Sequence, residues 1–395
     1  MTSTPAPSYP FPAKYLDEAA ELSRLRQDEP ISRVTMPYGG EAWLVTRMAD
    51  VKEVLADPRF SRQLQTEAGR PRFFPEPVVE GIGIMDPPEQ TRLRKLVAKA
   101  FTARRVQEFE PRVQAIVDEL LDAMEAKGAP ADVYADFSWQ LPGISICEFM
   151  GVPYEDRDRF VPFFDSVVST TSKTPDEIRQ AIGDLHSYFG ELIEKRRAAP
   201  TDDLFTALIR ARDEDDRLSE KELIEMSFGL LVAGMETTAS QLANFLYLLL
   251  RNPDQLELLR AKPELVPNAV EELLRFVPLL AVDQPSVARE DVTLGGVLIR
   301  AGETVVPSMN SANRDEDVFE DPQRIDVTRE HNPHLAFSHG AHHCVGAQLA
   351  RLEMVTALRS LLLRFPGLRQ AVPDEELRWK AGVVLRGVEA LPVAW

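Results

Sequence analysis

The sequence predicts one mainly α-helical domain with small β-sheets. Three observations support this: helical periodicity dominates the chain, β-rich runs are few and short, and no repeat, low-complexity tract or Gly/Ser linker divides its 395 residues. A single domain is therefore expected over 1–395, with the proline-rich start, 1–15, extended or flexible. Apolar residues recur at three and four over 113–124, 178–197, 220–250, 253–260 and 346–365, each of which reads as a helix. Within the third of these, 228–250 is the most apolar run. Glu236, Thr237, Thr238, Ser240, Gln241 and Asn244 interrupt it, so it reads as a buried core helix and not as a membrane span. Residues 43–45 form a short β-rich run, 292–306 alternates around Gly295, Gly296 and Gly302 as a hairpin system would, and 383–393 reads as another hairpin.

Composition narrows the class. A hydrophobic share of 44% and a charged share of 27% describe an ordinary globular chain. With 45 Lys and Arg against 63 Asp and Glu, the formal net charge of −18 repels phosphate backbones and argues against a nucleic-acid partner. Two cysteines, Cys147 and Cys344, form no secreted framework, and the start lacks a basic region followed by an apolar run; a reducing cytoplasm and no membrane attachment are expected.

Five of the six histidines, His331, His334, His339, His342 and His343, fall within thirteen residues beside Cys344. A Cys/His metal cluster is one reading, although the paired spacing of structural zinc sites is missing. The other is a single cysteine acting from a loop that enters a long amphipathic helix, where N–H groups and the helix dipole favour a thiolate able to ligate iron. Gly340 and Gly346 would permit tight turns and close approach of a flat ligand, and Phe337 would shield the sulfur. Cys147, in an apolar run, reads as a small buried hydrophobe.

Phe337-x-x-Gly340-x-His342-x-Cys344-x-Gly346 resembles the haem-binding loop of the cytochrome P450 family. Three further family motifs follow the expected order. Ala233-Gly234-Met235-Glu236-Thr237 is similar to the acid–alcohol stretch of the long central helix, Glu272-Leu-Leu-Arg275 to the ExxR pair, and Asn313 through Arg329 to the segment before the haem loop. The resemblance spans about 44–395. It implies the P450 fold, a triangular helical prism with haem b between the central helix and the Cys-loop helix. It also implies Cys344 as axial thiolate, Ala233 and Gly234 leaving room for dioxygen, Glu236 and Thr237 managing protons, and a structural ion-pair network of Glu272, Arg275 and Arg329.

Two departures concern the haem propionates. Where soluble bacterial members carry His and Arg, this chain has Gln90 and Ser286, which leaves Arg94 and His342 as charged partners. Electrons are expected from ferredoxin and ferredoxin reductase, docking on Arg92, Arg94, Lys95, Lys99, Arg104 and Arg105. By analogy the substrate pocket takes in Gln65, Phe73, Phe74, Phe163, Phe164, Leu230, Leu231, Thr238, Val282, Ser286, Val383 and Val384, and an apolar or aromatic guest is expected. Three functions stand: monooxygenation of a small natural product in specialised metabolism, radical coupling of aromatic substrates such as tryptophan-containing cyclic dipeptides, and non-catalytic haem binding or sensing. The protein is expected to be monomeric.

Overall fold

The computed structural model describes residues 5–75, 81–161, 169, 171–201, 203–213 and 218–395. In chain order the helices are α1 (Ala20–Asp28), α2 (Met48–Ala56), α3 (Glu89–Ala98), α4 (Ala103–Lys127), α5 (Gln140–Met150), α6 (Pro175–Ala198), α7 (Leu204–Asp213), α8 (Glu220–Arg251), α9 (Pro253–Ala261), α10 (Val266–Phe276), α11 (Met309–Ala312) and α12 (Ala347–Arg364). The strands are β1 (Ile31–Thr35), β2 (Glu41–Val45), β3 (Phe60–Ser61), β4 (Ala131–Asp132), β5 (Ser286–Ala288), β6 (Val292–Leu294), β7 (Val297–Ile299), β8 (Thr304–Pro307), β9 (Arg369–Gln370) and β10 (Pro392–Ala394). Every periodic segment of the sequence lies on one of these helices. The chain divides into two compact units, each gathered from three segments.

The first unit comprises Met1–Arg92, Leu274–Arg324 and His331–Cys344. Its five-stranded sheet runs β1-β2-β8-β5-β3, and β6 and β7 form the separate hairpin expected around Gly295 and Gly296, both with positive φ. Strand β2 pairs with β8 in parallel, Leu44 opposite Val306, so apolar side chains of distant segments are fixed in one register. Helix α2 packs its Met48, Val51 and Val54 face into the core of this unit. Residues 7–9 are extended, as expected, but they are tied down: the Tyr9 amide donates to the Thr35 carbonyl at 2.9 Å and Tyr9 is buried.

The second unit comprises Leu93–Leu273, Ile325–Glu330 and Val345–Trp395. Its central element is the 32-residue α8, which begins in a capping box: the Ser219 hydroxyl accepts from the Glu222 amide at 3.1 Å, and the Glu222 carboxylate from the Ser219 amide at 2.7 Å. From Thr238 to Leu249 every residue of α8 is buried, the core-helix character expected. No helix among the described residues is long and apolar enough to cross a membrane. Helix α5 lies close against α8. A Cβ on Gly143 would come 2.9 Å from Met235 Cε, and one on Gly234 would come 3.0 Å from Ile146 Cγ1. The tail contains a hairpin, but one strand earlier than 383–393 suggests: Trp379 bridges Val388, Lys380 donates its amide to the Gly387 carbonyl at 2.9 Å, and Glu389 donates to Arg378 at 2.8 Å. The last residues of that expected hairpin, β10, pair instead with β4 and β9.

Candidate functional site

The predicted chemistry falls on two stretches, one in each unit. In the first unit the loop carrying Cys344 is fixed at several points. The Asn313 side chain accepts from the Leu335 amide at 2.7 Å, and the Phe337 carbonyl accepts from the Cys344 amide at 2.8 Å. Gly340 has φ of +67°, and a Cβ there would sit 2.4 Å from the carbonyl oxygen of Leu55 at the end of α2. Its glycine is thus required by protein backbone and by the tight turn. Gly346 differs, with φ of −84° and no protein atom within 4 Å of a would-be Cβ. Phe337 and His342 are half-buried, and Cys344 is exposed.

Gln90 is only 1% exposed, and its amide nitrogen donates to the Ala341 carbonyl at 2.6 Å. At the position expected to face a propionate, this side chain braces the cysteine loop. Ser286 is buried in β5, opposite Val305 of β8. Arg275 is fully buried and donates to the backbone carbonyls of Asn313 and Pro322, both at 2.9 Å, and of Arg324 at 3.2 Å. Because Asn313 also receives the Leu335 amide, Arg275 tethers the run leading to Cys344 through backbone oxygens.

In the second unit Glu272, with no accessible surface, accepts from Arg329 Nε at 3.0 Å and from the Asp326 amide at 2.9 Å, so the predicted Glu272–Arg329 pair is present. On α8 the open side carries Val232, Ala233 and Thr237. Leu231 has no accessible surface and Thr238 is buried. Gly234 faces Ile146 of α5, so its missing side chain serves the contact between the two helices. Thr237 Oγ1 donates to the Ala233 carbonyl at 2.6 Å, one turn back along the helix.

Glu236 is 5% exposed and meets a cation that the sequence did not point to. Lys380 Nζ, in the tail hairpin, donates to Glu236 Oε1 at 2.9 Å, to the Tyr134 hydroxyl at 2.9 Å and to Ser240 Oγ at 3.0 Å. Burial opposes the Lys380 charge, yet Tyr134 and Glu236 outweigh it and the ammonium lies above the ordinary lysine value. Burial also raises the Tyr134 phenol, against the pull of Lys380. The readable signal was a carboxylate inside an apolar helix, which demands a counter-charge; no spacing rule says which of the distant cations supplies it.

The remaining predicted residues divide. Gln65 is buried, with its amide nitrogen 2.5 Å from the Pro71 carbonyl, and Phe73 is buried against the Tyr9 ring at 5.7 Å. Both are held by structural contacts. Leu230 and Val282 are buried, whereas Phe74, Val383 and Val384 are half-buried; Phe163 and Phe164 lie outside the described residues. Of the basic residues, Arg92, Lys95, Lys99 and Arg104 are exposed, and Arg94 and Arg105 half-buried. Cys147 is fully enclosed, with burial pushing its thiol up to about 12. A thiol on a loop braced by Gln90, Asn313 and the Leu55 backbone, and not enclosed by protein, fits a ligand to haem iron.

The family model described as Cytochrome P450 matches residues 26–387. Nocardicin C N-oxygenase of Nocardia uniformis subsp. tsuyamanensis is 54% identical, and mycinamicin IV hydroxylase/epoxidase of Micromonospora griseorubida 50% identical, each over 100% of both chains. The crystal structure of HinD with NMFT and NO is similar with a TM-score of 0.96 at 48% identity, covering 99% of this chain and 100% of that one.

Proposed function

The chain belongs to the cytochrome P450 family and is a monooxygenase of specialised metabolism; from that premise we propose that it inserts one oxygen atom into a small apolar or aromatic natural product, with ferredoxin and ferredoxin reductase as its electron source. Haem held by a cysteine thiolate supplies the activation of dioxygen. The observation that carries the reading is the braced Cys344: its thiol is not enclosed by protein, as that of Cys147 is, and its loop is fixed through Phe337, Asn313 and Gln90, which suits a ligand and not a core residue.

The other side chains have supporting roles. Cys344 ligates the iron, and Arg94 and His342 take the propionates. Thr237 Oγ1, whose own proton is committed to the Ala233 carbonyl, offers lone pairs to a water or hydroxyl donor, and Glu236 holds or releases a proton at its carboxylate. Glu272 and Arg275 act on the architecture. Lys95, Lys99 and Arg104, exposed in a chain of net charge −18, support docking of an acidic electron donor. The two relatives above are named for hydroxylation, epoxidation and N-oxygenation, which supports oxygen insertion; a solved P450 with biaryl coupling reactivity, 44% identical, supports oxidative coupling as the second reading.

The test is a screen of apolar and aromatic natural products for the substrate-induced blue shift of the Soret band, then turnover of the hits with a surrogate ferredoxin and reductase. A product heavier by one oxygen supports the reading. A dimer, or a loss of two hydrogens, would move it to oxidative coupling, and spectral binding without turnover to a haem-binding protein. Cys344→Ser should abolish the red-shifted Soret band of the reduced carbon monoxide complex.

A further inference from the structure

A stripe of polar side chains runs along α8 where its surroundings are core. Glu236, Ser240 and Asn244 recur every fourth residue, so they share one helix face, and all three are buried. The tail hairpin meets that face twice. Asn244 Nδ2 donates to the Arg386 carbonyl at 2.9 Å, and Lys380 spends its three N–H donors on Glu236, Ser240 and Tyr134.

The pairing is one-sided. Lys380 holds Oε1 of Glu236, while Oε2 is buried with no hydrogen-bond partner among the described residues. An ion pair that served stability alone would be expected to satisfy both carboxylate oxygens, because an unpaired buried acceptor is costly. Here one oxygen is anchored and the other is left for a donor other than the described side chains. Its neighbour in sequence is Thr237, on the open side of the helix.

We infer that Lys380 is a positioning residue for proton supply: by pinning Oε1 of Glu236 it presents Oε2 to water as the proton-relaying atom, and so sets how fully electron input is converted to product. The inference rests on the reading that Glu236 and Thr237 manage protons. In the overall balance, substrate, dioxygen, two electrons and two protons give oxygenated product and one water. The protons reach Oε2 from solvent and leave again, with Lys380 charged throughout. If they are delivered out of place or out of time, dioxygen, the same two electrons and two protons leave as hydrogen peroxide and the substrate stays unoxidised.

The experiment compares holoenzyme variants, driven by a surrogate ferredoxin and reductase with a substrate that gives the spectral shift. Lys380→Met should keep the carbon monoxide spectrum and the substrate-induced shift. It should raise the peroxide released per electron pair and change the solvent deuterium isotope effect on product formation. Lys380→Arg should restore coupling, and Lys380→Met with Glu236→Gln should uncouple no more than the worse single variant. Should Lys380→Met fail to hold haem, Lys380→Leu carries the same test, since it too removes the donor, and Lys380→Gln, which keeps a donor without the charge, should couple better than either. Wild-type coupling and isotope effect in a folded Lys380→Met or Lys380→Leu enzyme would overturn the inference. If Glu236→Gln and Thr237→Ala uncouple while the Lys380 variants do not, only the role of Lys380 fails; if Glu236→Gln itself couples as wild type, the proton reading fails and takes this inference with it.

Discussion

Replacing Gly340 by alanine should loosen the cysteine loop from α2 and speed loss of haem. The new methyl carbon would sit 2.4 Å from Leu55 O, 2.9 Å from Ala56 Cα and 3.1 Å from Leu55 C, all backbone atoms that cannot rotate away. Holding φ at +67° costs an L-residue about 1–2 kcal/mol. Forcing an extra carbon into a packed contact costs about 1–3 kcal/mol more. Together these reach about 2–5 kcal/mol, so even the low end shifts the loop equilibrium by more than about tenfold. The assay is transfer of haem to apomyoglobin, followed at the Soret band, with Gly346→Ala as control. Alanine at 346 meets no protein atom within 4 Å and needs no unusual φ, so it leaves the protein packing intact. If Gly340→Ala retained haem as wild type does, the packing argument would fail. If Gly346→Ala lost haem faster than Gly340→Ala, ligand approach at 346 and not backbone contact at 340 would govern retention.

Two further outcomes follow from burial and charge. Burial pushes the Glu353 carboxyl from 4.5 up to about 8, so between those values the folded chain keeps a proton that the unfolded chain has lost, and stability falls as pH rises. Glu353→Gln should remove a slope of up to about 1.4 kcal/mol per pH unit; urea unfolding of both proteins at pH 5 and pH 8 checks it, and an unchanged difference between them would count against it. Lys99→Glu with Arg104→Glu should weaken the apparent affinity for an acidic ferredoxin and flatten the salt dependence of reduction, leaving the substrate-induced spectral shift intact. Stopped-flow reduction across ionic strength reads this out, and an unaltered rate would remove these residues from the docking surface.

What the sequence made legible was local. The periodicity of α8 and the Gly295–Gly296 turn are each written within a few neighbouring residues, and the loop around Cys344 is dense enough in unusual residues to stand out. What stayed hidden depends on partners far apart in the chain. Gly340 answers to Leu55, Gln90 to Ala341 and Glu236 to Lys380, 144 residues away, and none of these pairings has a period or a motif. Gly234 shares that cause: its contact with Ile146, on α5, is not visible from α8 alone.

The contrast between the chain's two cysteines has a practical consequence. Cys147 is enclosed in α5, its thiol held protonated far into the alkaline range, while Cys344 stands exposed on its loop. A water-soluble maleimide therefore meets one reachable sulfur per chain, and in holoenzyme that sulfur is committed to iron. Stoichiometric alkylation becomes a tally of chains lacking cofactor, countable by intact-protein mass without reference to absorbance, and a fluorophore introduced this way would report from the catalytic loop alone.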